Sequence, residues 1–421
     1  MRWPRAGVAA WVWLLSAAFP VAAGWTAWAL YTASRREADL PSLAVAALAL
    51  ALGGLVAVPT RSGQRMSASF GVASALPFVF GGDDVALDVR ALLAVYAGGL
   101  ALLWVLRTAR GDDQRHVLVL SLRSFVGFAA FAWLFETAAP YVRAVIPSGW
   151  QLVSILAVAA IGWFLVDVVL STLLYLGPRR TSARYRMLSA FKDFDAFAAL
   201  VGSGALFGLA FPAIGWWALA VAVLPYAFAH GAFRRFLETK ATYGQTIRAL
   251  SQIPEIAGFS QPGHADRTAE LAVAIAKELG LRPAVVDELE YAAQMHDIGR
   301  ITLNEPSIIR MGYTDEQLAQ WGSEIIGETP YLSKVATYVR RQYDSYRKPG
   351  EERDPDVPLP SRIIRVASAY DRAIREDELT PLEAMERLHQ GSVYDFDPMV
   401  VASLRRVLES RGVFGHPSRV P

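Results

Sequence analysis

Cysteine is absent from the 421 residues of this chain, which excludes disulfides, thiolate zinc sites, cysteine nucleophiles and iron–sulfur clusters together. Histidine is scarce, six in all, so metal chemistry would have to run on a few imidazoles and on carboxylates. Charge is scarce too: Asp, Glu, Lys and Arg make up 19% of the chain, against about a quarter in an ordinary soluble domain. With 53% hydrophobic residues and a mean hydropathy of +0.29, the composition argues against a simple water-soluble globule. The charge that is present divides unevenly. Before Phe236, 19 Lys and Arg face 11 Asp and Glu; from Phe236 onward 22 face 28. The first half is apolar and basic, the second polar and acidic.

Up to about residue 232 the chain consists of apolar blocks parted by short charged loops. Blocks of roughly 17–25 apolar residues span a bilayer as helices, because a helix satisfies its own backbone polar groups. Strong spans fall at 7–30, 40–58, 87–106, 117–139, 152–176 and 194–211, with a shorter one at 214–229. The weakest, 67–81, brings the expected total to about eight. An even count with the N-terminus inside puts Arg107, Arg110 and Arg115, then Arg179, Arg180, Arg184 and Arg186, on the cytoplasmic side. Outside it leaves Arg35, Arg36 and Arg143. This predicts a multi-pass protein of the inner (cytoplasmic) membrane with both ends of the chain in the cytoplasm. The first block is too long for a cleavable signal peptide. Arg123 and Asp167 lie within spans at similar depth and suit an ion pair, or separately a snorkelling Arg and a bonded Asp. No matched pair of broken helices is present, which disfavours a transporter. Gly202, Gly204, Ala205 and Gly208 suit close helix packing.

After the last span, Phe236, Tyr243 and Leu250 recur every seven residues with Ile247 between them, and Pro254 stops the run. This predicts a connecting helix over 233–257 that pairs two chains as a homodimer or packs on its own domain. From about Gly263 the pattern is helix after helix, with no alternating strand. Further helices are expected at 314–326, 331–343, 361–375, 381–390 and 398–410, with Arg362 and Arg365 facing outward. The expected fold is all-α: a membrane domain (1–232), the connecting helix, an all-helical domain (258–412) and a tail (413–421).

The chemical centre is His296–Asp297, with His264 at the start of an earlier helix. An imidazole and a carboxylate at one helix end, joined by a second imidazole, can present three donors to one cation. Around them run "GHADRTAELAVAIAKELGL", "YAAQMHDIGRI" and "LPSRIIRVASAYDRA". In this order the segments resemble the HD-GYP branch of the HD metal-dependent phosphohydrolases. The resemblance covers about residues 243–408. It implies hydrolysis of cyclic di-GMP with two or three manganese- or iron-type ions, often behind a multi-span sensory domain. The departures are as specific. The family's HHExxDGxGYP falls on "VRRQYDSYRKP", so its paired His become Val339 and Arg340 and its Glu becomes Arg341. A further family His falls on Leu318. The first Asp of VADxxDA falls on Ser368, while the second is kept as Asp371. Arg300 stands where Lys usually follows the HD pair.

Too few donors remain for a bimetallic centre. His264, His296, Asp297 and Asp371 are the vestigial metal set, with His296 and Asp297 the residual catalytic candidates. The expectation is no cofactor, with one manganese- or iron-type ion as the alternative. Arg300, Arg340, Arg341 and Lys348 are candidate phosphate contacts, or a solvated basic face near anionic lipid. The expected function is an integral-membrane signalling protein, impaired as an enzyme, that acts by nucleotide or protein binding. The alternative is an active phosphodiesterase on a reduced metal site. Expected partners are the lipid bilayer, cyclic di-GMP or another nucleotide, signalling proteins and a second copy of the chain, but no nucleic acid polymer.

Overall fold

The computed structural model describes residues 40–79 apart from 61, 63 and 64, residues 89–174 apart from 113, residues 181–414 apart from 349 and 353, and Gly24. The expected first span, Gly24 aside, and the end of the tail fall outside these. The described residues are helical almost throughout. They divide into two units, Met1–Tyr175 with Ala190–Leu237, and Leu176–Ser189 with Glu238–Pro421.

The first unit contains α1 (Leu40–Leu55), a short antiparallel hairpin of β1 (Ala57–Pro59) and β2 (Arg65–Ser67), α2 (Ser69–Val79), α3 (Val89–Ala109), α4 (Gln114–Val145) and α5 (Ser148–Leu173). In the hairpin Val58 pairs with Met66. Along the chain, α6 (Ala183–Phe191) begins in the second unit and ends in the first, α7 (Phe194–Ile214) belongs to the first, and the long α8 (Ala218–Ser251) passes from the first into the second after Leu237. Among the described residues, four helical stretches are long and apolar enough to cross a bilayer: Val89–Ala109, Val117–Val145, Trp150–Leu173 and Phe194–Ile214. Their outward residues, such as Val126, Trp133, Val158 and Leu165, stay apolar, as a hydrocarbon solvent requires. Among the described residues of the weak segment at 67–81, the helix is the 11-residue α2, which is shorter than an upright span needs.

Aromatic rings fill the centre of this unit. Trp163 stacks on Phe70 at 4.8 Å and meets Phe131 at 5.1 Å, and Tyr96 stacks on Phe128 at 4.2 Å. Arg123 and Asp167 form a two-pronged ion pair, Nε to Oδ1 and Nη2 to Oδ2, both 2.6 Å. Gly204 lets α7 close on α2, since a Cβ there would stand 1.8 Å from the Gly71 carbonyl oxygen. Gly208 meets Phe78 in the same way, whereas Gly202 faces open space.

The second unit is built from α9 (His264–Glu278), α10 (Pro283–Met295), a 3₁₀ segment (Ile298–Asn304), α11 (Asp315–Gly327), α12 (Ser333–Arg340), α13 (Leu359–Arg375), α14 (Pro381–Gln390) and α15 (Pro398–Ser410). The helix starts follow local chemistry. Thr314 with Gln317, and Thr380 with Glu383, form reciprocal capping boxes, and proline opens α10, α14 and α15. Ile275, Leu289, Ile363, Ile364 and Leu404 meet in one core. Ser182, from the segment before α6, donates its backbone N–H to the Lys277 carbonyl at 3.1 Å, and the Lys277 ammonium lies over the Tyr185 ring.

Two expectations need correction. Arg362 does not face outward: it is buried against Asp397 at 3.3 Å and donates to the Val357 carbonyl, fastening the Pro-rich loop to the start of α15. Arg365 is likewise mostly covered, over the Phe396 ring. The apolar stems of these long side chains made the burial possible, and Asp397 supplies the countercharge.

Candidate metal and anion centre

Three helices converge on the centre. His264 opens α9, whose first turn is capped from outside: the Glu255 carboxylate accepts the N–H groups of Gly263 (2.7 Å) and Ala265 (3.1 Å). His296 ends α10, and Asp297 leads into the 3₁₀ segment. Gly299 follows because the backbone there passes so close to α11 that a Cβ would lie 2.0 Å from the Leu318 carbonyl oxygen. Leu318, where the family places a histidine, is buried in this packing. Ser368 and Asp371 come from α13, one turn apart. His264, His296, Asp297, Ser368 and Asp371 are all buried.

The imidazoles are oriented from behind. His264 Nδ1 lies 2.7 Å from Asp371 Oδ2, and His296 Nδ1 lies 2.8 Å from the Ala293 carbonyl oxygen. With Nδ1 protonated and donating on each ring, both Nε2 lone pairs turn inward. The two Nε2 atoms stand 3.2 Å apart, and each is 3.2 Å from Ser368 Oγ. Asp297 reaches the same space, its oxygens 3.5 Å from His296 Nε2 and 3.9 Å from His264 Nε2. Gln342 holds the turn by donating to the His296 carbonyl at 2.8 Å. Burial drives the His296 pKa down to about 4, against the opposing pull of Asp297, so the ring is neutral at pH 7.

Both carboxylates are claimed by guanidinium groups. Arg372 Nη2 donates to Asp297 at 3.1 Å, Arg300 Nε lies 2.9 Å from the same Oδ1 as an ion pair, and Ser260 Oγ donates to Oδ2 at 2.7 Å. Burial alone would raise the Asp297 pKa; His296, Arg372 and Arg300 outweigh it and hold the group well below the usual carboxylate range. Asp371 takes a two-pronged contact from Arg267 at 2.7 and 2.9 Å. Against the burial penalty, the bonds from His264 and Arg267 lower its pKa as well. Three guanidiniums thus share these two carboxylates, with Glu255 also acting on Arg267 and Glu376 on Arg372.

The donor set fits one divalent ion, because His264 Nε2, His296 Nε2 and an Asp297 oxygen lie within 4.8 Å of one another. It does not fit a pair. Asp371 sits on the outer nitrogen of His264, Ser368 offers a neutral hydroxyl, and the positions matching the family's paired His hold buried Val339 and exposed Arg340. Of the expected phosphate contacts, only Arg300 reaches the centre. Arg341 is spent on Asp344 (2.5 Å) and Asp354 (2.7 Å), and Arg340 and Lys348 are exposed. Arg267, Ser260 and Arg372 were not among the residues singled out from sequence. Arg372 had a readable signal: it stands where VADxxDA carries its final Ala.

Residues 248–400 match the HD domain family. The second unit is therefore related to the HD-superfamily phosphohydrolases. Relatives include a cyclic di-GMP phosphodiesterase of Vibrio cholerae serotype O1, 24% identical over 201 residues, which are 41% of this chain and 41% of that protein. Another of the same name, from Thermotoga maritima, is 22% identical over 151 residues, 33% of this chain and 41% of its own. A 3'3'-cGAMP-specific phosphodiesterase 2 of V. cholerae is 20% identical over 184 residues, 40% of this chain and 35% of its own. The chain thus spans about two fifths of the length of the relatives it matches.

Proposed function

We propose that this chain is an integral-membrane signalling protein whose HD unit lies in the cytoplasm, has given up two-metal hydrolysis, and acts by binding an anionic nucleotide of the cyclic dinucleotide class. The observation that carries this reading is the clamp of Arg300 and Arg372 on Asp297. Two unit charges 4 Å apart interact by about 1 kcal/mol in water and about 4 kcal/mol at the effective dielectric of a protein interior. A second divalent ion beside these guanidiniums would meet repulsion of at least that size, and Asp297 is already committed to them. The same pair of guanidiniums favours phosphate, whose oxygens match a guanidinium fork. The cyclic dinucleotide class is taken from the names of the relatives.

Calorimetry on the purified full chain with cyclic di-GMP, with and without manganese, tests the reading. Binding that persists in EDTA, without hydrolysis, is the expected result. Manganese-dependent hydrolysis that disappears in His296→Ala would overturn it.

A second reading is favoured by one observation, the pair of inward Nε2 lone pairs beside Asp297. A divalent ion held by His264, His296 and Asp297 would supply a Lewis acid able to activate water near neutral pH. In that case Asp371 and the Ala293 carbonyl fix the two ring tautomers. Arg300 and Arg372 would face the charge of a phosphate ester, and Ser368 would stand between the rings as a neutral hydrogen-bonding group.

A further inference from the structure

The part of α8 that follows Arg234 and Arg235 presents two neighbouring faces. Lys240, Gly244, Ile247 and Ser251 form one. Ile247 is buried in the core of the second unit, and Lys240 pairs with Asp287 of α10 at 2.9 Å. Thr239, Tyr243, Thr246 and Leu250 form the other, and all four are exposed, Tyr243 at 56% and Leu250 at 44%. Tyr331, 77% exposed, stacks beside Tyr243 and widens the patch. The sequence places Phe236 seven residues before Tyr243, in the same register. Lys240, Gln245 and Arg248 on these turns keep the segment out of hydrocarbon, so lipid does not cover the apolar stripe.

We propose that this stripe is the contact face of a parallel homodimer, in which a second copy of the chain lays the same face of α8 against it. The charge pattern points to a like partner. The stripe itself carries no charge, so two copies meet in register without a like-charge pair. Lys240, beside the stripe, is neutralised within its own unit by Asp287, and Arg248, on the far side of α8, pairs with Asp266 at 3.0 Å. Thr246 returns its hydroxyl to the Thr242 carbonyl at 3.0 Å, which leaves its methyl group outward. The positions repeat as the inner positions of a two-stranded coiled coil do, at i, i+3 and i+7. Together with Tyr331 they offer about 400–500 Å² per copy, from the area such side chains bury. A stable dimer in solution needs about 800 Å² per partner. Confinement of both copies to one membrane and one orientation makes up the difference through effective concentration. The parallel arrangement rests on the membrane reading above; it does not depend on what the HD centre binds.

The absence of native cysteine makes the test clean, because one introduced thiol is the only thiol in the chain. Tyr243→Cys, Thr246→Cys and Leu250→Cys on the stripe, and Ala241→Cys and Gln245→Cys on the far side of α8, are expressed in the full chain and oxidised in isolated membranes. The expected result is a species of twice 46.0 kDa from the three stripe positions and little from the other two. Leu250→Lys, added to Tyr243→Cys, is expected to lower the rate of crosslinking about tenfold by placing like charges in the seam. The exposed position leaves thermal unfolding unchanged. Equal crosslinking on both sides, none at all, or a crosslinked species of another mass would overturn the proposal. Recovery of the chain in the soluble fraction would instead overturn the membrane reading, and the parallel dimer with it.

Discussion

Among the buried carboxylates held by arginine, Asp167 and Asp297 are held differently. Asp167 in the first unit meets one guanidinium, fork to fork, and the two charges cancel. Asp297 in the second unit is shared by two guanidiniums and a serine hydroxyl, with two histidines alongside. The first arrangement is closed: fork meets fork, and the pair carries no net charge with which to attract a ligand. The second is open. It carries two guanidiniums on one carboxylate and inward lone pairs, the chemistry that the proposed ligand site would use.

The comparison is broken most directly by neutralising each carboxylate. Asp297→Asn strands two buried guanidiniums and is expected to cost about 3–5 kcal/mol of stability, read as a fall in the melting temperature of the purified chain. Adding Arg372→Met should recover part of that loss, because it removes one of the stranded charges. Asp167→Asn strands only Arg123, and a smaller fall is expected. Equal losses at the two positions would show that the Asp297 cluster is a strut after all.

A second substitution tests whether the guanidinium clamp stands in for ligands the site has lost. Ser368→Asp with Arg372→Ala returns a carboxylate to α13 and removes a repelling charge one turn away. Manganese affinity is expected to rise about 10–100-fold, measured by calorimetry, since each of the two changes favours a divalent cation. Unchanged affinity would mean that the geometry of α13, not its charge, keeps the ion out. On the anion side, Arg300→Ala is expected to weaken cyclic di-GMP binding about 10-fold or more, the worth of a charge-assisted hydrogen bond. Arg340→Ala and Lys348→Ala should change it less than about twofold, because these exposed groups do not reach the centre.

Much of this fold is legible in the sequence because helix periodicity and capping are local. Pro381 with Thr380, and Pro398 with Asp397, mark helix starts that the structure places at those prolines. The seven-residue spacing of Tyr243 and Leu250 leaves two readings of the connecting helix open; the structure packs Ile247 on its own unit and exposes Tyr243 and Leu250. The imidazoles and Asp297 were legible because the HD pair and its surroundings form a recognisable order. What could not be read is who neutralises whom. Arg267 and Asp371 are 104 residues apart, and only the packing of α9 on α13 joins them. Arg341, read beside Arg340 and Lys348 as one basic cluster, is spent on acids of the loop that follows. Adjacency in sequence grouped these charges; tertiary contacts separated them.

The smallest effect is a dependence on pH, and its sign follows from the neutral state of His296. The folded pKa of about 4 lies below the ordinary value of 6.5, so the unfolded chain takes up a proton first as the pH falls. Stability from this ring is therefore full above about pH 6.5 and drains away between 6.5 and 4. Asp371, also held low, works in the same direction at more acid pH, since its protonation breaks the contacts to His264 and Arg267. Between pH 7 and 5 the expected loss is about 1–2 kcal/mol, read as a drop in melting temperature. His296→Gln keeps a polar side chain in the cavity but has no proton to gain, so the slope over this range should flatten. A variant as steep as the parent would assign the acid sensitivity to other groups, and would remove the case that a neutral imidazole is built into the centre.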